Sequence, residues 1–94
     1  MIILRIEHKI PNFDGWKKAF ESDPINRKKF GVRTYSIFRP IDDPNYVIID
    51  LEFGSLKEAE DTLVALRDLW TKVEGQVMMN PQTQILDLVE TIQV

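Results

Sequence analysis

The residue best suited to proton transfer in this sequence is its single histidine, His8. An unperturbed imidazole has a pKa of about 6.5, so it can accept or release a proton near neutral pH. His8 follows Ile2, Leu4 and Ile6 at every second position, and a β-strand would place these four side chains on one face. Two interpretations remain open: a general base in an apolar pocket, or a half-buried histidine bonded to a backbone group.

Three aromatic residues are candidates for contact with a ring-shaped ligand. Trp16 and Phe20 are four residues apart, and Trp70 belongs to a later apolar stripe of helical spacing. Aromatic residues at such spacing most often bury apolar area in the core. Two tryptophans in so short a chain are also suited to stack on a planar molecule, and both readings stay open at each position.

Several other kinds of chemistry find no support in the sequence. There are no cysteines, which excludes disulfides, thiolate metal sites and cysteine nucleophiles. Asp42 and Asp43 precede Pro44 and Asn45, so we interpret them as turn residues and not as paired metal ligands. No glycine-rich phosphate loop is present, and we expect neither a metal nor a cofactor.

Length and charge limit the classes of partner. Ninety-four residues with 44% hydrophobic and 29% charged residues predict one globular domain spanning 1–94. The net charge of −3 argues against nucleic acid or an anionic membrane as a partner. The basic run Arg27, Lys28 and Lys29 is interpreted as a solvated face. The sequence has no apparent signal peptide and no apolar run long enough to span a membrane, so a cytoplasmic location is expected.

The periodicity predicts six main elements. Asn12 is a suitable N-cap for the first helix, and Ser55 with Glu58 matches a capping box at the start of a later one. A short second stretch of helix is predicted after Asp23-Pro24, ending at Phe30-Gly31. Strands are expected at 2–10, 32–39, 46–53 and 83–92, helices at 13–21 and 56–73, the second of these closed by Gly75, and a loop at 76–82.

The order β-α-β-β-α-β predicts an α+β fold, the ferredoxin-like sandwich. In that fold a four-stranded antiparallel sheet carries both helices on one face. The opposite, open face is not cleanly polar here, since Tyr46 and Ile48 alternate with inward-facing residues and the last strand is apolar on both sides. We therefore expect a homodimer in which two sheets pack face to face, with the charged residues Arg5, Glu7, Asp50 and Arg33 available to pair across the interface. The alternative is a monomer with a semi-polar open face.

Two segments, RIEHKIPNFDGWKKAF and RPIDDPNYVIIDLEFGSLKEAE, carry a family resemblance. The chain resembles the dimeric α+β barrel superfamily, in particular small proteins similar to antibiotic-biosynthesis monooxygenases and often called cyclase-like. This resemblance implies a pocket between the helices and the sheet, lined by His8, Trp16, Phe20 and Trp70, with Phe38 as a further candidate. The haem-degrading relatives use a histidine on the second helix, and residues 56–73 contain none.

The resemblance implies two alternative functions. The first is a cofactor-independent monooxygenase-like or cyclase-like enzyme acting on a small apolar or aromatic molecule, with His8 as the base. The second is a non-catalytic ligand-binding or regulatory homodimer, in which His8 only forms hydrogen bonds.

Overall fold

The computed structural model describes residues 1–73 and 79–94. The elements follow the order predicted for a ferredoxin-like α+β fold, which is confirmed. They are β1 (Ile2–Lys9), α1 (Phe13–Glu21), β2 (Thr34–Phe38), β3 (Tyr46–Phe53), α2 (Leu56–Val73) and β4 (Met79–Asp87).

The four strands form one antiparallel sheet in the order β2-β3-β1-β4. Strand β1 lies in the centre, where Leu4 pairs with Leu51 and His8 pairs with Val47. Directly opposed residues of antiparallel strands point to the same face. The alternation predicted for β1 and β3 therefore places His8 on the same face as the apolar core.

The core lies between this face and the helices. Leu4, Val47 and Phe53 are completely buried on the sheet side, and Ala59 of α2 belongs to the same core. Burial of such side chains supplies the main stabilising free energy of a small domain. The described core is thus built from the periodic positions of β1, β3 and the two helices.

Both predicted helix starts are confirmed. The side chain of Asn12 accepts a hydrogen bond from the backbone N–H of Gly15 at 2.6 Å, as expected of an N-cap. At α2 the Ser55 hydroxyl accepts from the Glu58 N–H at 3.3 Å and donates to the Glu58 carboxylate at 3.1 Å. These caps set where each helix begins, and hence which side chains reach the sheet.

The predicted helix between Asp23 and Gly31 is wrong. The segment forms a series of turns, because Asp23 and Asn26 adopt φ of 52° and 61°, in the left-handed region that interrupts a right-handed helix. Gly31, with φ of 93°, ends the turns as a left-handed residue. Strand β2 is also shorter than predicted and spans only Thr34–Phe38.

The last strand lies earlier in the chain than predicted. It spans Met79–Asp87 instead of 83–92, so residues 79–82 of the predicted loop belong to it. Leu88, Val89 and Ile92, which the sequence placed on that strand, are 43%, 89% and 66% exposed. The predicted helix end at Gly75 lies outside the described residues.

The open face of the sheet mixes apolar side chains with paired polar ones. Ile3 lies beside Leu86, and Arg5 lies beside Asp50. Arg5 forms two hydrogen bonds with the Asp50 carboxylate, at 2.8 and 2.9 Å, and these raise the pKa of Arg5. Arg5 and Asp50, which the sequence made available to pair across an interface, thus pair with each other within one chain.

A second polar pair on the open face joins Tyr46 to Glu7. The Tyr46 hydroxyl donates to the Glu7 carboxylate at 2.7 Å, and this bond is the main cause that raises the pKa of Tyr46 to about 12. The two pairs leave the polar groups of this face partly neutralised between apolar positions.

Candidate functional site

A cavity of about 260 Å³ lies between the sheet and the helices. Ile6, Ile49 and Leu51 form its sheet side, and Leu66 and Leu69 of α2 contribute to the helix side. Its wall also includes four residues predicted from the sequence: His8, Trp16, Phe20 and Trp70. A largely apolar cavity with a few polar groups is typical of a small-molecule site.

His8 is the buried titratable group of this cavity. Only 2% of its surface is exposed, and burial is the main cause that lowers its pKa below 6.5, with the backbone bond acting in the opposite direction. Its Nδ1 lies 3.1 Å from the carbonyl oxygen of Lys9 and donates to it. This bond selects the tautomer in which Nε2 is unprotonated, and the hydrogen bonds among the described residues include none to Nε2.

The first helix provides a run of packed aromatic rings beside His8. The Trp16 ring centroid lies 6.2 Å from that of His8, and Phe20 stacks on Trp16 at 5.1 Å with ring planes inclined by 28°. Phe20 in turn meets the edge of Tyr35 of β2 at 5.0 Å. The helical spacing of Trp16 and Phe20 thus extends an aromatic wall from β1 to β2.

Trp70 contributes to the wall from the other helix. It is 8% exposed and belongs to the core, so the same residue both packs and lines the cavity. The two readings left open for the aromatic residues are therefore compatible. Both tryptophans of the chain face one cavity, which makes their fluorescence a direct report on its contents.

Phe38 does not join this site. It pairs with Ile48 on the open face, and it is 48% exposed. The prediction that Phe38 lines the pocket is corrected by this register, which turns Tyr35 and Ile37 to the helix side. Tyr35, on the helix side, contacts Phe20.

Arg27 is a residue of the cavity wall that sequence reasoning missed. It stands in a basic run with Lys28 and Lys29, which made a solvated face the simplest interpretation. In the structure the two lysines are exposed, whereas the Arg27 side chain is only 17% exposed. The sequence did contain a signal that Arg27 differs from its neighbours: Asp23 stands four residues before it. An ion pair at this spacing can hold an arginine side chain in place.

The part of the chain that the structure describes shows neither a metal-binding cluster nor a membrane-spanning helix. Residues 1–73 and 79–94 contain no group of three or more His, Asp or Glu side chains arranged to hold a metal ion. Within the same ranges, neither helix has the length and apolar character needed to cross a membrane.

Comparison with known proteins shows similarity in structure and not in sequence. No protein-family profile matches the chain, and no curated protein matches it significantly. Among solved structures, SnoaB, a cofactor-independent oxygenase from Streptomyces nogalater, superposes with a TM-score of 0.76 at 8% identity, over 97% of this chain and 95% of that chain. An antibiotic biosynthesis monooxygenase gives 0.68 at 14% identity, over 96% and 100% of the two chains.

A third structure is a dimeric ferredoxin-like protein from an uncultured marine organism. It superposes with a TM-score of 0.66 at 11% identity, over 97% of each chain. These matches cover nearly the whole molecule and show that the chain shares the ferredoxin-like α+β fold of these structures. At such low identity they define the fold and leave the reaction open.

Proposed function

We propose that this chain forms a homodimer that binds a small, largely apolar, aromatic molecule, and that it acts on it as a cofactor-independent monooxygenase-like or cyclase-like enzyme. The observation that carries the proposal is the buried imidazole of His8, 2% exposed, in the wall of an otherwise mostly apolar cavity. A general base must be unprotonated and within reach of its substrate, and the position of His8 supports both requirements.

His8 acts as the base through Nε2. With Nδ1 bonded to the Lys9 carbonyl, the ring orientation is fixed and the unprotonated nitrogen is the one that accepts the proton. Burial lowers the pKa of His8, which keeps the imidazole unprotonated at neutral pH. Trp16 and Trp70 hold the substrate ring, since both are buried aromatic residues of the cavity wall.

The oxygenation needs no resident cofactor when the substrate supplies the electrons. Nε2 removes a proton from a methylene group that is acidified by a conjugated ketone. The resulting carbanion bonds to O₂, and the peroxide takes up a proton. Loss of water then leaves a carbonyl, so that CH₂ and O₂ become C=O and H₂O. The structural similarity to SnoaB, which is described as a cofactor-independent oxygenase, supports this class of reaction.

The open face of the sheet is the proposed dimer interface. Ile3, Ile48 and Leu86 lie on it at half-buried positions, and the similar marine protein is described as dimeric. Packing two such faces together would complete a continuous core between the sheets. The ion pair Arg5–Asp50 reduces the cost of burying charge there, and the Tyr46 hydroxyl supplies a hydrogen bond to the Glu7 carboxylate.

The test is oxygen consumption with anthrone, an aromatic ketone that carries an acidic methylene group. We expect the wild-type protein to accelerate O₂ uptake and the formation of anthraquinone above the rate in buffer. The His8→Asn variant should lose about a hundredfold or more of this acceleration, the typical contribution of a general base. Val64→Ala, on the exposed side of α2, should retain the full rate.

The outcomes separate the two candidate functions. Quenching of tryptophan fluorescence by anthrone without oxygen uptake would contradict catalysis and favour a ligand-binding dimer. Oxygen uptake that persists in His8→Asn would contradict the role of His8 as base. The binding alternative is supported by one observation: among the described lining residues, His8 has no carboxylate partner to assist it.

A further inference from the structure

The Arg27 guanidinium is held in place by groups from three parts of the chain. Its central carbon lies 4.1 Å from the centre of the Phe20 ring and 5.1 Å from that of Tyr35. Its Nη1 donates to the carbonyl oxygen of Phe20 at 2.8 Å and lies 3.6 Å from a carboxylate oxygen of Asp23. An arginine stacked on two rings and bonded to the backbone has lost most of its freedom to turn toward solvent.

These contacts occupy one end of the guanidinium group. Both polar partners approach Nη1, and among the described residues neither Nε nor Nη2 has a hydrogen-bond partner. Nε and Nη2 present parallel N–H groups along one edge of the planar fork. This edge matches the two oxygens of a carboxylate, which arginine binds through two parallel hydrogen bonds.

The described cavity wall itself includes no carboxylate, and the ion-pair partner of Arg27, Asp23, approaches only Nη1. Asp23 is not part of the wall, and its Oδ1 already accepts the backbone N–H of Arg27 at 2.8 Å. His8 is neutral, and the hydroxyl of Ser22 donates to the Ala19 carbonyl at 2.6 Å. Arg27 is therefore the fixed positive group of a mostly apolar wall. Its attraction for an anionic group is stronger there than in water, because the surroundings are less polar.

We infer that the ligand of this cavity is an aromatic acid, with its ring against Trp16 and Phe20 and its carboxylate bound by the Nε–Nη2 edge of Arg27. This inference rests on the proposed function and adds to it the chemical class of the ligand. Arg27 then acts as a specificity residue that selects anionic over neutral aromatic molecules. When a neutral ligand occupies this position, the N–H groups of the largely buried Arg27 guanidinium have no anionic acceptor, which weakens its binding.

The experiment compares two probes that differ in charge and scarcely in shape, 4-nitrobenzoate and 4-nitrobenzamide. Both quench tryptophan fluorescence without emitting light, and both tryptophans of the chain lie in the cavity wall. We expect the wild-type protein to bind 4-nitrobenzoate about tenfold or more tightly than the amide, as for a charge-assisted pair. Arg27→Gln should bring this ratio close to one, chiefly because 4-nitrobenzoate binds more weakly.

Two further variants define the role of the fork. Arg27→Lys keeps the charge but loses the two parallel donors, so it should retain only part of the preference. Lys28→Gln removes the neighbouring exposed charge and should retain all of it. A loss of preference in Lys28→Gln equal to that in Arg27→Gln would assign the effect to general charge and overturn the inference.

The remaining outcomes separate this inference from the proposed function. Equal binding of the two probes by the wild-type protein would overturn the aromatic-acid inference and leave the cavity as an aromatic site. A preference for the carboxylate that survives in Arg27→Gln would also overturn it. Failure of both probes to quench either tryptophan would contradict the ligand-binding function, and the inference with it.

Discussion

The imidazole of His8 and the indole of Trp16 lie against each other, with ring centroids 6.2 Å apart and ring planes inclined by 59°. One ring belongs to β1 and the other to α1, and only a short connection containing the Asn12 cap separates these elements. This contact joins the candidate base to the aromatic wall. The place where α1 begins therefore decides whether Trp16 reaches His8.

The burial of His8 predicts a dependence of stability on pH. Because its folded pKa is lowered, the unfolded chain binds more protons than the folded chain between that pKa and 6.5. The free energy of unfolding should therefore fall as the pH decreases through this window, and the contribution is fully present above 6.5. Asparagine at this position keeps a donor for the Lys9 carbonyl but cannot titrate.

Thermal melting of wild type and His8→Asn between about pH 8 and about pH 5 measures this effect. Carboxylates titrate in both proteins, so the difference between the two curves isolates the histidine. As the pH decreases, the melting temperature of the wild type should fall more steeply than that of His8→Asn. Parallel curves would show that His8 does not resist protonation in the folded state.

Trp16 should be a large contributor to stability. It is 5% exposed and packs against both His8 and Phe20. Trp16→Ala should lower the free energy of unfolding by about 3 kcal/mol or more, in the range typical of buried aromatic residues. Urea denaturation measures this loss. The control Val64→Ala, at a side chain that is 69% exposed, should change it by less than about 0.5 kcal/mol.

The Asn12 cap should stabilise the helix that carries Trp16 and Phe20. Asn12→Ala removes the acceptor for the Gly15 N–H and should cost about 1 kcal/mol. Asn12→Asp keeps an acceptor and adds a favourable charge at the helix N-terminus, so it should lose little. Urea denaturation of both variants compares them directly. Equal losses would show that the side-chain bond contributes nothing.

The proposed interface predicts a dimer that one charge can dissociate. Ile48 lies on the open face between Phe38 and Glu7, so a glutamate there would be buried on association without a partner. Sedimentation equilibrium should give twice the chain mass of 11.0 kDa for the wild type and the single mass for Ile48→Glu. Ile41→Glu, at the fully exposed hairpin turn, should remain a dimer. A wild-type protein at the single mass would contradict the interface.

The elements predicted accurately are those whose signals are local. Strand β3 and helix α2 were predicted with the bounds that the structure has, because continuous alternation defines the strand and a capping box defines the helix start. The helix predicted after Asp23 failed because Asp23 and Asn26 adopt left-handed backbone angles, which favourable cap residues do not reveal.

Strand β4 was misplaced for a different reason. It contains Asn80, with φ of 51°, and Pro81, which read locally as a loop. Pairing with β1 overrides this tendency, and the register shift between Glu7 and Lys9 accommodates the irregular start. Such pairing is a long-range effect that local sequence signals do not contain.

The candidate site also contains residues predicted from local signals and a residue whose surroundings depend on long-range contacts. Alternation was enough to direct His8 toward the helices, and helical spacing was enough to direct Trp16 and Phe20 toward the sheet. The environment of Arg27 depends instead on rings from α1 and β2, which only the folded chain brings together. The spacing of Asp23 and Arg27 could single out Arg27 from Lys28, but the contacts of Arg27 with the two rings could not be predicted from it.

The turns after α1 have an evolutionary consequence. Ser22, Pro24, Ile25 and Arg27 all line the cavity, yet none is among the buried core residues. Substitutions in this segment can change the shape and charge of the cavity wall without removing a core side chain. The fold thus separates the residues that maintain it from those that can diversify.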